Sequence, residues 1–123
     1  MKVQDLAPTV TPFTEYKSFK ASSWSSTDDY EWMDGVQICV RQIFHYDTLM
    51  AEFHSAWDAE AKEWDAWTTK VVSTGWGSVS DQKGMNQLLT AVGSVMRYSR
   101  KGGTANYVAP NGNIIGVPRH LAR

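Results

Sequence analysis

The chain has 123 residues, of which 42% are hydrophobic and 20% charged, and its formal net charge is −1. This length and composition exclude a disordered tail and suffice for one domain with a core of its own. One cysteine, Cys39, excludes an internal disulfide and suits a reducing compartment. No apolar run reaches the ~20 residues that span a bilayer.

The near-neutral total hides a split. Thirteen acidic residues all lie at or before Asp81, against six basic ones there, for a balance of −7; beyond Asp81 stand six basic residues and no acid, +6. Such a split suits either an anionic partner for the basic half or attraction between the halves.

Taken in order, residues 1–12 carry Pro8 and Pro12 without a period and read as a possible extended arm. They also lack a long apolar stretch, so no signal peptide is expected. "FTEYKSFKASSW" (13–24) reads as a strand, and "SSTDD" as a polar break. Asp34-Gly35 is a two-residue hairpin turn, since both positions favour positive φ. After it, Val36, Ile38 and Val40 alternate with Gln37, Cys39 and Arg41, the strand period; the alternation slips at Gln42–Ile43, as at a bulge.

In residues 46–72, Tyr46, Leu49, Met50, Phe53, Trp57, Trp64, Trp67 and Val71 recur at helical spacing. The segment is expected to form an amphipathic helix about 40 Å long, with Asp47 as its cap. "STGWGS" breaks it, Ser78 and Asp81 have the spacing of a capping box, and a second helix is expected over about 79–101, stopped by Gly102-Gly103. A C-terminal hairpin turns at Pro110–Asn113, and 117–123 form a basic tail.

The fold class expected is therefore α+β: a small antiparallel sheet, built from an N-terminal and a C-terminal hairpin, packed with two antiparallel amphipathic helices in one domain. A tryptophan stripe along so long a helix predicts that a second copy covers part of it, which makes a homodimer the expected state.

Chemistry-bearing motifs are sparse. His45, His54, His120 and Cys39 have no zinc spacing, so no metal is expected, nor any cofactor. No nucleophile elbow is present. Cys39 with His45 or His54 makes only a generic dyad, and no residue is assigned a catalytic role. Arg97, Tyr98, Arg100, Lys101, Thr104, Tyr107 and Arg119 could hold a small anionic, nucleotide-like ligand, arginine gripping phosphate and tyrosine stacking on a base. A glycine cap with ordinary C-terminal cations competes with that assignment. Trp76, flanked by Gly75 and Gly77, and the acidic Asp58, Glu63 and Asp65 are the candidates for meeting a partner protein. The sequence pI of 6.3 disfavours nonspecific duplex binding.

These features point to a noncatalytic binding protein, of the kind found among phage accessory and inhibitor proteins, that occupies a partner protein in the cytoplasm of a cell or host. The other classes are a binder of a nucleotide-like anion at a subunit interface, a structural subunit of a larger assembly, and, last, an enzyme.

Overall fold

The computed structural model describes residues 1–8 and 18–116. The expected strand start at 13–17, the end of the arm at 9–12, the basic tail and Arg119 lie outside the described residues.

The main sheet is antiparallel and curled. Its strands are β1 (Ser18–Ala21), β2 (Trp24–Met33), β3 (Val36–His45), β4 (Thr48–Asp58), β5 (Glu63–Trp64) and β6 (Thr68–Val71). The order is β1-β2-β3-β4, and β5 and β6 share the free edge of β4. One helix follows, α1 (Val79–Ala91), and then a three-stranded sheet of β7 (Arg97–Ser99), β8 (Asn106–Val108) and β9 (Ile114–Ile115).

The local turn rules hold. Asp34 and Gly35 sit at φ 52° and 79° and join β2 to β3, as a primed hairpin turn requires. The Pro110–Asn113 turn closes with Ala109 N–H donating to Asn113 O at 2.9 Å. Ser78 caps α1: its hydroxyl accepts from Asp81 N–H at 3.0 Å, and Asp81 returns the bond to Ser78 N–H at 3.0 Å.

The two-helix architecture does not. Residues 46–72 are strands β4, β5 and β6, not a helix. The cause is a bulge. Ile43 pairs with Ala51, but the next residue, Phe44, pairs with Leu49, so Met50 is an extra residue in β4. Met50 and Ala51 are consequently both buried. This breaks the two-residue alternation and leaves Leu49, Met50, Phe53 and Trp57 at spacings that imitate a helix. The sequence slip at Gln42–Ile43 lies one residue from that bulge. The "SSTDD" break is strand interior: Ser26 and Asp28 face the core from β2 while Thr27 and Asp29 face out.

The second expected helix is cut short. It ends at Ala91, with Gly93 at φ 75° and Ser94 N–H bonded to Leu89 O, whereas 97–99 form a strand. Gly102 and Gly103 therefore end no helix; they lie in a 3-10 turn between β7 and β8. With the 40 Å helix gone, the stripe that argued for a second copy is gone too. Trp67 packs on the core, while Trp57 and Trp64 face each other across β4 and β5.

The core lies between one end of the sheet and α1. Trp24, Ile43, Met50, Ala51 and Phe53 meet Met85, Leu88 and Leu89 there, and Leu6 enters from a 3-10 turn (Val3–Leu6). Tyr98 and Tyr107 join the small sheet to it; their hydroxyls donate to Thr74 O (2.6 Å) and Ser73 O (2.8 Å). A buried ion pair closes the middle of the face. Arg41 Nε and Nη2 donate to the two oxygens of Asp28 at 2.7 and 2.9 Å, and Nη1 donates to Leu6 O at 3.1 Å.

Candidate functional site

The register of β2, β3 and β4 assigns each residue to a face. Trp24, Ser26, Asp28, Tyr30 and Trp32 share one side of β2, and they stand opposite His45, Ile43, Arg41, Cys39 and Gln37 of β3. That is the core side. At one end it is covered by α1. At the other, Trp32, Gln37, Trp57 and Trp64 form a cross-strand row beyond the helix.

This far row is aromatic and open. Trp32 is 70% exposed, and Met33, Val36 and Trp57 are also exposed. Trp57 and Trp64 meet edge to face with centroids 5.5 Å apart, and Tyr30 tilts against Trp64 at 6.1 Å. A groove of about 610 Å³ runs beside them, lined by Trp32, Val36, Trp57, Asp58, Glu60 and Asp65 among others. Glu31, Asp34 and Glu63 are exposed in the adjoining strands and turn. Lys62 is the only cation of the β4–β5 turn. The Asp58 carboxylate also shapes that turn, accepting from Glu60 N–H (3.0 Å) and Ala61 N–H (3.1 Å), and Lys62 adopts φ 55°.

The structure thus brings Asp58, Glu63 and Asp65 together at one end of the sheet, beside tryptophans, on a hairpin and not on a helix face. Trp76 is not with them. It is 69% exposed, and its N–H donates at 3.0 Å to Asp81, a residue of the α1 end.

Of the residues expected to hold an anion, Arg97 and Tyr98 lie on β7 and Tyr107 on β8, where Tyr98 pairs with Tyr107 and their rings meet edge to face at 5.3 Å. Tyr98 and Tyr107 are 1% and 0% exposed and present no open ring face. Burial pushes the Tyr98 hydroxyl pKa up to about 12, with the Asp81 charge adding and Arg100 opposing; burial drives Tyr107 higher still. Arg97 donates to Ser94 O and Met96 O, and Arg100 Nε donates to Gly77 O at 2.8 Å. Lys101 and Thr104 are exposed.

Sequence spacing gives no hint of a second cluster, at the α1 end. Asp81 is fully buried and His45 is 3% exposed. His45 Nδ1 lies 2.6 Å from Asp81 Oδ1, and His45 Nε2 lies 3.0 Å from Ser23 Oγ and 3.3 Å from Ser80 Oγ. Burial alone would raise the Asp81 pKa. The hydrogen bonds from His45 and from the backbone and side chain of Ser78 outweigh it and hold the carboxyl below its ordinary value. A carboxylate only accepts, so the Nδ1 proton lies on the Asp81 bond, and the Nε2 side of the ring faces the hydroxyls. Trp24 stacks on the imidazole at 4.2 Å and 8°, fixing its plane.

Cys39, the single cysteine of the chain, is buried. Among the described residues there is no group of three or more His, Cys, Asp or Glu that could hold a metal ion, and no helix is long and apolar enough to cross a membrane. No protein-family model, curated protein or solved structure matches the chain.

Proposed function

We propose that the chain is a binding protein that occupies a partner protein through the aromatic, acidic end of its main sheet, and that the surface it meets is cationic. The observation that carries this reading is the pair of exposed tryptophans, Trp32 and Trp57, the latter backed by half-buried Trp64, on a groove whose charged lining is Asp58, Glu60 and Asp65. Large aromatics left in water at one place mark a contact surface. Carboxylates around them select for positive charge, and a guanidinium or ammonium group can sit on an indole face while pairing with a carboxylate.

The test is a fluorescence titration of the purified chain with an arginine-rich peptide and with a glutamate-rich peptide of the same length. Binding of the cationic peptide alone, weakening steeply with salt, is the expected result. Trp32→Ala is expected to weaken it by about 30-fold, the ~2 kcal/mol of a contact-centre tryptophan. Equal affinity for both peptides, or no change in Trp32→Ala, overturns the reading.

A further inference from the structure

We propose that Ser23 is a nucleophile, with His45 as its general base and Asp81 as the positioning residue, for the hydrolysis of a small ester that carries an anionic group. The inference does not rest on the peptide-binding end. Trp24 pairs with His45 at one end of β2–β3 and Met33 with Val36 at the other, which separates the two sites by roughly 30 Å.

The three groups stand in the order that acyl transfer requires. The buried carboxylate of Asp81 is held by Trp76 N–H and Ser78 N–H, both at 3.0 Å to Oδ2, which leaves Oδ1 for the imidazole. The imidazole is clamped by Trp24 and turns Nε2 toward Ser23 Oγ. When the ring is neutral, Nε2 carries the lone pair that accepts the Ser23 proton. Ser23 is only partly buried, and it follows Ser22, whose φ of 59° is costly for a residue with a Cβ.

The relay ends at a cavity. A space of about 330 Å³ is lined by Ser23 and Ser80 but by neither His45 nor Asp81. A ligand there would meet the Ser23 hydroxyl first, with His45 Nε2 3.0 Å behind it. The charged side chains in its lining are Lys2 and Lys83. They favour a substrate with a carboxylate or phosphate and can stabilise the oxyanion that forms on attack. Capping α1 requires only Ser78 and Asp81, so helix formation explains neither the hydroxyl on Nε2 nor the cavity in front of it.

The chemistry balances without a co-reactant other than water. Ser23 Oγ bonds to the ester carbonyl carbon as its proton moves to His45 Nε2, and the carbonyl electron pair moves onto oxygen. Collapse breaks the carbon–alkoxide bond. His45 gives its proton to the departing alkoxide, leaving acyl-Ser23. Water, deprotonated by the same nitrogen, attacks the acyl carbon; collapse releases the acid and returns the proton to Ser23. The sum is ester plus water to acid plus alcohol.

The experiment combines labelling with turnover. The wild-type chain is treated with a fluorophosphonate, and the adduct is mapped by peptide mass spectrometry. Hydrolysis of 4-nitrophenyl hemisuccinate and of 4-nitrophenyl acetate is then followed in wild type, Ser23→Ala and Lys83→Met. The expected results are an adduct on Ser23 and loss of about 100-fold or more of hemisuccinate turnover in Ser23→Ala, in the range that a missing nucleophile produces. Lys83→Met should raise KM for the hemisuccinate by a larger factor than it changes kcat/KM for the acetate. An unlabelled Ser23 in the wild-type chain overturns the assignment whatever the variants do, and so does hemisuccinate turnover that survives Ser23→Ala.

Discussion

Replacing Gly84 by alanine should destabilise the protein, although helix propensity alone predicts the reverse. Gly84 lies inside α1, where glycine costs about 1 kcal/mol relative to alanine. A Cβ built there, however, falls inside the indole of Trp24, 2.7 Å from Nε1 and closer still to Cε2 and Cζ2. Ordinary carbon contacts are about 3.5–4.0 Å, so the ring would have to withdraw by more than about 1 Å. It has little room to do so. Trp24 is 3% exposed and lies flat on His45 at 4.2 Å, and His45 is tied to Asp81 at 2.6 Å. Overpacking of this kind costs about 1–3 kcal/mol, and a rigid, pinned ring belongs at the upper end. Set against the propensity gain, the net loss is about 1–2 kcal/mol, on the order of 5 °C in Tm for a domain of this size. Thermal unfolding followed by circular dichroism measures it. In a Trp24→Leu background, where no indole opposes the new Cβ, the same Gly84→Ala change should cost nothing or stabilise. A Gly84→Ala protein that melts at or above the parent temperature would refute the reasoning.

Further outcomes follow from the buried polar groups. Asp81 has a folded-state pKa below its unfolded one, so its contribution is full above the unfolded value and is lost as pH falls through the folded value; Asp81→Asn should lower the urea midpoint at pH 7 and flatten its decline toward pH 2.5, and parallel acid limbs in the two proteins would contradict this. Tyr98 and Tyr107 have raised pKa values, so the stability they lend is present below the ordinary tyrosine pKa and is lost as pH rises through the folded one. Absorbance titration of the native chain should lack two tyrosines near pH 10 and recover them on unfolding; reversible ionisation of all five near pH 10 would contradict it. Asp28→Ala removes the carboxylate that accepts from Nε and Nη2 of the buried Arg41 and should cost about 3–5 kcal/mol, while replacing both residues by leucine should cost far less. Urea unfolding compares them, and a single-variant loss under about 1 kcal/mol would show that the pair is unimportant.

The features that could be read from the sequence are those set by a few neighbouring residues. Asp34-Gly35, the Val36–Val40 alternation, the Ser78–Asp81 box and the Pro110–Asn113 turn all rest on local φ preferences or one-turn hydrogen bonds. The 46–72 segment misleads because two tertiary facts mimic a helix. One is the extra residue at Met50. The other is the β4–β5 hairpin, which pairs Trp57 with Trp64 and Asp58 with Glu63; seven residues round a hairpin match two helical turns. The intervening "AEAK" favours helix by propensity, and the hairpin overrides it with an Asp58 turn and a positive φ at Lys62. Asp58, Glu63 and Asp65 could be picked out as a charged group because they are close in sequence. The tryptophan that joins them, Trp32, comes from another hairpin. The grouping of Ser23, His45 and Asp81 carries no sequence signal: 22 and 36 residues separate His45 from its partners, and only the sheet register and the packing of α1 bring them together.

The geometry of the cover explains why tryptophans remain in water here. Helix α1 has 13 residues and so is about 20 Å long. Strands β2 and β3 have ten residues each and extend about 33 Å. Among the described residues α1 and the 3-10 turn at Val3–Leu6 cover one end and the middle of the core-side face, and the end that carries Trp32 is left exposed. A sequence selected only for folding would make that remainder polar, as Thr27 and Asp29 are on the outer side of β2. Instead the bare end carries Trp32, Trp57 and Trp64 and is ringed by carboxylates. Trp32 cannot be credited to the core, because it is 70% exposed. Nor does it help the hairpin turn, which Asp34 and Gly35 already provide. Exposed aromatic area with a surplus of negative charge around it suits contact with a cationic partner.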